Sequence, residues 1–207
     1  MRRLWGRANS ANVMKPIWLM EELNLPYERI GVGGKFGRTD TPEYRRMNPT
    51  GLVPALEEDG FTLWESNAIL RYICNACAPD SPLYPSEPRA RGIVDCWMDA
   101  SQTTLSRPQS VVLWTLVRTP PEQRDYAALQ KAMQEADRAW ALVEQQTKQH
   151  PYVAGDTFTL ADIAWGVHVH RWFVLPIERS DAPSLYAWYQ RLLQRPAYAT
   201  HCAGPVT

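Results

Sequence analysis

The chain has 207 residues, of which 45% are hydrophobic and 21% charged, so it can bury the core of a globular protein. Its 22 basic and 22 acidic residues balance, and no net charge favours nucleic acid or an anionic membrane as a partner. No stretch approaches the roughly 20 apolar residues of a membrane span, and the N-terminal residues lack the apolar run of a signal peptide. We therefore expect a cytoplasmic protein.

The first part of the chain is predicted to mix strands and helices. In chain order, the pattern predicts a strand at 2–5, a helix at 12–24, a strand at 26–32, a short helix at 42–47, a strand after Pro54, a strand at 61–64 and a helix at 66–77. The two strands after Pro54 are joined by Asp59-Gly60, which is typical of a hairpin turn. This order predicts a small α/β layer with one parallel crossover and one hairpin.

The second part of the chain is predicted to be helical throughout. Prolines at 79, 82, 85 and 88 exclude a helix or a central strand, so we expect a linker at 79–88 between domains at 1–78 and 89–207. Thr159 and Asp162 have the spacing of a capping box, and Phe158 is placed to pack onto Ile163. The predicted helices cover 88–118, 121–148, 160–174 and 183–195.

Several kinds of catalytic site are excluded by spacing. The loop "GVGGKFG" has Phe36 where a dinucleotide-binding motif needs glycine, which argues against a nucleotide site. His168 and His170 lie about 200° apart around a helix and cannot share a metal ion. Cys74 and Cys77 form a CxxC near the end of a helix, whereas a reactive thiolate is stabilised at a helix N-terminus. We expect no metal and no nucleotide.

A binding site for a small peptide is indicated by two neighbouring segments. A tight turn at Val53-Pro54 is a candidate for a cis peptide bond, and it would leave the N–H and C=O of Val53 free to pair with a peptide backbone. Ser66 would begin a helix directly after a strand, where its hydroxyl and the free N–H groups suit a carboxylate. Glu65 could accept from an ammonium group. The alternative is a plain turn proline and a plain helix cap.

These segments carry a family resemblance that extends over nearly the whole chain. "NPTGLVPAL" followed by "LWESNAILRYI" resembles the N-terminal half of the cytosolic glutathione S-transferase family. "NSANVMKPIWLMEELNLPYE", "FTLADIAWG" and "LYAWYQRLLQRPAY" are similar to that family's first helix and second strand, its buried capping motif and its last long helix. The resemblance implies a thioredoxin-like α/β domain followed by an all-α domain. It implies that Val53 and Pro54 hold the cysteinyl backbone of glutathione, and that Glu65 and Ser66 hold its γ-glutamyl end.

The residue that activates the glutathione thiol is expected in the loop "GRANSAN". By the resemblance, Ser10 falls where serine-type members keep the activating hydroxyl, while Asn12 is an alternative because its amide can also donate to a thiolate. Both residue types are equally good helix caps. Arg7 could add positive potential. Lys35 and Arg38 lie where related chains bind the glycine carboxylate, or they are solvated loop charges.

The resemblance implies a glutathione transferase of the serine-type or a related bacterial-like branch, with a role in detoxification. Its glutathione thiolate would attack a small hydrophobic, electrophilic co-substrate, and the protein would be a homodimer. One alternative is a glutathione-dependent reductase of peroxides or disulfides at the same site, and another is a non-catalytic scaffold, because fold alone does not guarantee activity. Tryptophans 97, 114 and 172 would line the co-substrate pocket or fill the core.

Overall fold

The computed structural model describes all residues from 1 to 207, which form two compact units, Met1–Ser81 and Pro82–Thr207. The first unit is α/β and the second is all-α, which confirms the predicted fold class. The boundary between the units falls inside the proline-rich segment at 79–88. A separate linker there, with domain limits at 78 and 89, stays a prediction.

The first unit contains four strands and three α-helices. These are β1 (Arg2–Trp5), α1 (Ala11–Glu22), β2 (Glu28–Ile30), α2 (Pro42–Met47), β3 (Ala55–Glu58), β4 (Phe61–Trp64) and α3 (Ser66–Cys77), with a 3₁₀ turn at Gly34–Phe36. The prediction of a strand over 26–32 was too long. β2 is an edge strand that pairs only with β1, and the pairing stops where β1 ends, at Trp5 opposite Ile30.

The sheet has the strand order β2-β1-β3-β4. β1 and β2 are parallel and are joined through α1, whereas β3 pairs antiparallel with both β1 and β4. This arrangement confirms the predicted crossover and hairpin. Trp5 lies opposite both Ile30 and Ala55, and Ala55 lies opposite Trp64. The ends of β1, β2 and β4 and the start of β3 therefore share one edge, which we call the Trp5 edge.

The core of the first unit lies on the two faces of this sheet. Helices α1 and α3 pack against each other and bury apolar residues spaced three or four apart, including Val13, Ile17, Ile69 and Ile73. A second cluster is formed by Trp5, Val32, Tyr44 and Ala55. The loops at the Trp5 edge are therefore attached to strands and helices that are packed in the core.

The second unit is built from six α-helices: α4 (Pro88–Ala100), α5 (Ser106–Leu113), α6 (Tyr126–Thr147), α7 (Leu160–Val174), α8 (Pro183–Leu193) and α9 (Pro196–His201). A single regular helix over 88–118 was wrong, because wide π-type turns occupy Ser101–Leu105 and Trp114–Arg118. Pro108 has no N–H to donate to the carbonyl of Thr104, and the Thr104 hydroxyl bonds back to Ala100 O at 2.6 Å. Both effects favour a locally widened helix.

The other differences in the second unit are at helix ends. The helix predicted from 121 starts at Tyr126, because Asp125 caps it by accepting from the N–H of Ala128 at 2.9 Å. The helix predicted over 183–195 stops at Leu193, and Pro196 opens a new short helix. The predicted helix at 160–174 is confirmed, as is its capping box between Thr159 and Asp162. None of the helices has the length and apolar character needed to cross a membrane.

Candidate active site

Four connecting segments meet at the Trp5 edge of the sheet. The loop with Ser10 follows β1, the glycine loop follows β2, the Val53-Pro54 turn precedes β3, and Glu65 follows β4. Because β1 is parallel to β2 and antiparallel to β3, these ends must lie side by side. A Cβ placed on Gly33 would lie 3.3 Å from Val53, and one on Gly34 would lie 2.9 Å from Arg7. The glycine loop therefore fills the space between two of the other segments.

The Val53-Pro54 turn offers an unused pair of backbone groups. The peptide bond is cis, as the sequence predicted. The carbonyl of Leu52 accepts from the Tyr44 hydroxyl at 2.6 Å and from Asn48 Nδ2 at 2.8 Å. In contrast, neither the N–H nor the C=O of Val53 makes a hydrogen bond within the chain. Tyr44 and Asn48 thus fix the backbone next to Val53, while Val53 itself keeps a donor and an acceptor for a peptide ligand.

Glu65 and Ser66 form the start of helix α3. Glu65 is the N-cap residue, with an exposed side chain and a left-handed φ of 69°. Such a conformation is unfavourable for a residue other than glycine and is enriched at functional sites. Ser66 is the first helical residue and is buried, and its hydroxyl donates to Asn12 Oδ1 at 3.3 Å. The free N–H groups of this helix end can bind an anion.

Lys15 is a component of this site that the sequence reasoning missed. Its side chain is fully buried, and Nζ lies 3.4 Å from Ser66 Oγ and 3.2 Å from Asn67 Oδ1. Burial lowers the pKa of Lys15 to about 8, although the negative charge of Glu65 acts in the opposite direction. A lysine inside the apolar run "NVMKPIWLM" was the available signal, since lysine is almost never fully buried without a reason.

Ser10 and Asn12 stand at the start of helix α1. Ser10 occupies the N-cap position, and its carbonyl accepts from the N–H groups of Val13 and Met14, both at 2.9 Å. Its hydroxyl oxygen accepts no capping hydrogen bond, so the whole hydroxyl group is available to a ligand. Arg7, in the same loop, donates to Asn9 Oδ1 at 2.9 Å, and burial lowers its pKa. The loop therefore combines a free hydroxyl, a helix N-terminus and a partly buried cation.

Comparison with known proteins decides the family. Residues 2–75 match the glutathione S-transferase N-terminal domain and residues 94–196 match the C-terminal domain of the same family. Glutathione S-transferase GstB of Escherichia coli is 41% identical, with 100% of both chains covered. The chain belongs to the glutathione S-transferase family. These matches confirm the thioredoxin-like domain, the helical domain and the activity of a glutathione transferase predicted from the sequence.

Solved glutathione S-transferases match the chain over nearly its full length. The theta class enzyme of Xanthomonas axonopodis pv. citri, crystallised with glutathione bound, is 42% identical, with a TM-score of 0.95 and coverage of 100% and 99% of the two chains. A glutathione S-transferase from Pseudomonas fluorescens is 32% identical, with a TM-score of 0.85 and coverage of 95% and 96%. Glutathione as the co-substrate of this family is thereby confirmed.

The remaining residues named from the sequence have the following positions in this glutathione S-transferase. Lys35 is exposed, with Nζ 5.5 Å from the centre of the Phe36 ring. Arg38 is exposed as well, 3.6 Å from a carboxylate oxygen of Glu43 and 5.4 Å from the centre of the Trp5 ring. Both lie in the glycine loop that reaches Val53, and their contact with a glycine carboxylate stays a prediction.

The cysteines, the possible metal-binding side chains and the tryptophans also have defined positions in this fold. All four cysteines are free thiols, and burial raises the pKa of Cys74 to about 12. Cys74 is therefore a poor nucleophile at neutral pH. No group of three or more His, Cys, Asp or Glu side chains is arranged to hold a metal ion. Of the three tryptophans considered for a pocket, Trp172 is in the core, where its ring centre is 6.2 Å from that of Trp140, whereas Trp114 is exposed.

Proposed function

We propose that this glutathione transferase binds glutathione along the Trp5 edge and activates its thiol with Ser10. The observation that carries the proposal is the strand register, because it brings the Ser10 loop, the Val53-Pro54 turn and the start of α3 to the same edge of one sheet. Three separate parts of a tripeptide, namely thiol, backbone and α-carboxylate, thus find complementary groups on one surface.

Recognition is divided between backbone and side chains. Val53 pairs through its N–H and C=O with the cysteinyl residue of glutathione. The N–H groups at the N-terminus of α3, beginning with that of Ser66, bind the α-carboxylate of the γ-glutamyl residue, and Glu65 accepts from its ammonium group. Lys35 and Arg38 attract the glycine carboxylate from the opposite side. The ligand is therefore bound at both charged ends.

The chemical step requires the thiolate. A cysteine thiol has a pKa near 8.5 and is mostly protonated at neutral pH, so the site must favour the anion. Ser10 donates its hydroxyl hydrogen to sulfur, next to the positive end of the α1 dipole, and the thiol proton is released to solvent. The sulfur then forms a bond to the electrophilic carbon of the co-substrate, and the leaving group departs with the electron pair of the broken bond.

Asn12 is a second candidate for the thiol donor, favoured by one specific contact. Its Oδ1 accepts from Ser66, which directs the amide so that the hydrogens on Nδ2 have no partner within the chain. Both Ser10 and Asn12 can therefore donate to one thiolate, and their relative contributions are open to measurement.

Titration of bound glutathione by thiolate ultraviolet absorbance tests the assignment. For Ser10→Ala, the thiol pKa in the complex is expected to rise by about one unit, and kcat at neutral pH to fall about ten-fold. Asn12→Ala serves as the comparison. An unchanged thiol pKa in Ser10→Ala together with a raised pKa in Asn12→Ala would assign activation to Asn12.

The co-substrate, the assembly and the location belong to the same proposal. We expect a small hydrophobic electrophile and a cytoplasmic homodimer. The edge strand β4 exposes Phe61 and Trp64, which a second copy could cover. Light scattering measures the oligomeric state, and a screen of electrophiles, peroxides and mixed disulfides identifies the reaction partner. Retention on immobilised glutathione separates an enzyme from a scaffold that has lost the site.

A further inference from the structure

Lys15 is a buried cation without an acidic partner in contact with it. Its side chain is completely inaccessible, yet its only hydrogen-bond acceptors are neutral oxygens, Ser66 Oγ at 3.4 Å and Asn67 Oδ1 at 3.2 Å. No carboxylate lies within ion-pair distance of Nζ. A buried charge paired only with neutral groups is costly to stability, and it persists where function requires it.

The direction of hydrogen bonding around Lys15 is fixed by its chemistry. An ammonium group can only donate, so the Ser66 oxygen must accept from Lys15 and the Ser66 hydrogen must point elsewhere. In the structure it points to Asn12 Oδ1, at 3.3 Å. Asn12 then presents its Nδ2 hydrogens away from Ser66. The three residues form a one-way chain of donors that begins at Lys15 and ends at the Asn12 amide.

This chain connects the two ends of the glutathione site. Ser66 is at the start of α3, where the γ-glutamyl carboxylate is expected, and Asn12 is in the first turn of α1, beside Ser10. We propose that Lys15 is a positioning residue that keeps the Ser66 hydroxyl donating to Asn12 Oδ1 and thereby holds Asn12 as a donor toward the thiolate of glutathione, while its positive charge supports the carboxylate site at the start of α3. The proposal deepens the proposed function and depends on it.

A neutral residue in place of Lys15 would remove the constraint on the Ser66 hydroxyl and the Asn12 amide. Without the ammonium group, the Ser66 hydroxyl can rotate and the Asn12 amide can turn over, so both lose their defined direction. The positive charge behind the carboxylate site is lost as well. Burial lowers the pKa of Lys15 to about 8, and an incoming carboxylate would favour the charged form.

The test compares Lys15→Met with the wild type and with Lys131→Met, the same substitution at an exposed lysine of α6. Calorimetry with glutathione measures affinity, thiolate absorbance measures the thiol pKa in the complex, and urea denaturation measures stability. We expect Lys15→Met to bind glutathione about ten-fold more weakly, with the thiol pKa raised by about half a unit, at unreduced stability. Lys131→Met should match the wild type in all three.

The outcomes separate the two proposals. A wild type that binds no glutathione would contradict the proposed function. A wild type that binds while Lys15→Met binds equally well, with the same thiol pKa, would overturn the role of Lys15. Weakened binding with an unchanged thiol pKa would also overturn it, since a purely structural defect gives that result. Should Lys15→Met fail to fold, Lys15→Gln, which keeps donors without the charge, is measured in the same way.

Discussion

The hydroxyl of Tyr44 donates a hydrogen bond of 2.6 Å to the carbonyl of Leu52, one residue before the proposed ligand-pairing residue Val53. Tyr44 is buried, so removal of its hydroxyl leaves this carbonyl with Asn48 as its remaining partner. We expect Tyr44→Phe to weaken glutathione binding by about three- to ten-fold, consistent with one hydrogen bond of about 1 kcal/mol. Calorimetry provides the measurement. Tyr126→Phe, at an exposed tyrosine, should leave affinity unchanged, and equal affinities for both variants would refute the link.

Glu65 and Asp59 share a strained backbone conformation, so glycine at each position allows the effects on stability and on glutathione binding to be compared. Both have a left-handed φ, 69° and 49° respectively, and only Glu65 lies at the Trp5 edge. Glycine relieves the strain at either position but makes the unfolded chain more flexible, so each change should alter stability by no more than about 1 kcal/mol. Glu65→Gly should also weaken glutathione binding at least about ten-fold, because the acceptor for the ammonium group is lost.

Urea denaturation and calorimetry on the two glycine variants check this expectation. Asp59→Gly should bind glutathione as the wild type does. If Glu65→Gly retained full affinity, the Glu65 carboxylate would not be the acceptor for the ammonium group.

The buried ammonium of Lys15 predicts a stability that depends on pH. Its pKa is lowered from 10.5 to about 8 in the folded protein, so between these values the unfolded chain holds a proton that the folded chain has released. The free energy of unfolding should therefore rise with pH through this range, by up to about 1.4 kcal/mol per pH unit. Other groups titrate there too, and they are common to wild type and variant.

The difference between wild type and Lys15→Met isolates this contribution. In urea denaturation from pH 7 to pH 10, the variant should have the larger free energy of unfolding at pH 7. The difference between the two proteins should shrink as the pH rises. Parallel curves would mean that Lys15 keeps an ordinary pKa.

Asp162 anchors the second unit through a set of hydrogen bonds. Its carboxylate accepts from the N–H groups of Val153 and Thr159 at 3.0 and 2.9 Å and from Trp188 Nε1 at 2.8 Å. Asp162→Ala leaves three buried donors unpaired and should lower stability by about 3 kcal/mol or more. Thermal and urea unfolding measure the loss. Asp181→Ala, at an exposed position, is the control, and similar stabilities would contradict the anchoring role.

Local elements could be read from the sequence because each depends on neighbours along the chain. The spacing of apolar residues predicted α7 over 160–174, and Thr159 with Asp162 predicted its cap. Strand β4 and the start of α3 at Ser66 were predicted from the short run "FTLW" after a hairpin turn, followed by an amphipathic helical pattern. Where a prediction was wrong, as over 88–118, the backbone was altered by Pro108 and by hydroxyl groups that bond to carbonyls one turn earlier.

The sequence alone determined the two-part architecture, the cis turn before Pro54 and the family resemblance. The tertiary structure alone decided that Lys15 lies buried behind Ser66 and that Tyr44 and Asn48 fasten the carbonyl of Leu52. The contact of Lys15 with Ser66 depends on how α1 packs against α3, and the contacts of Leu52 depend on how the chain turns back after α2. A pattern along the chain encodes which face is apolar, whereas which polar atoms meet across two packed elements is set only when the elements are assembled.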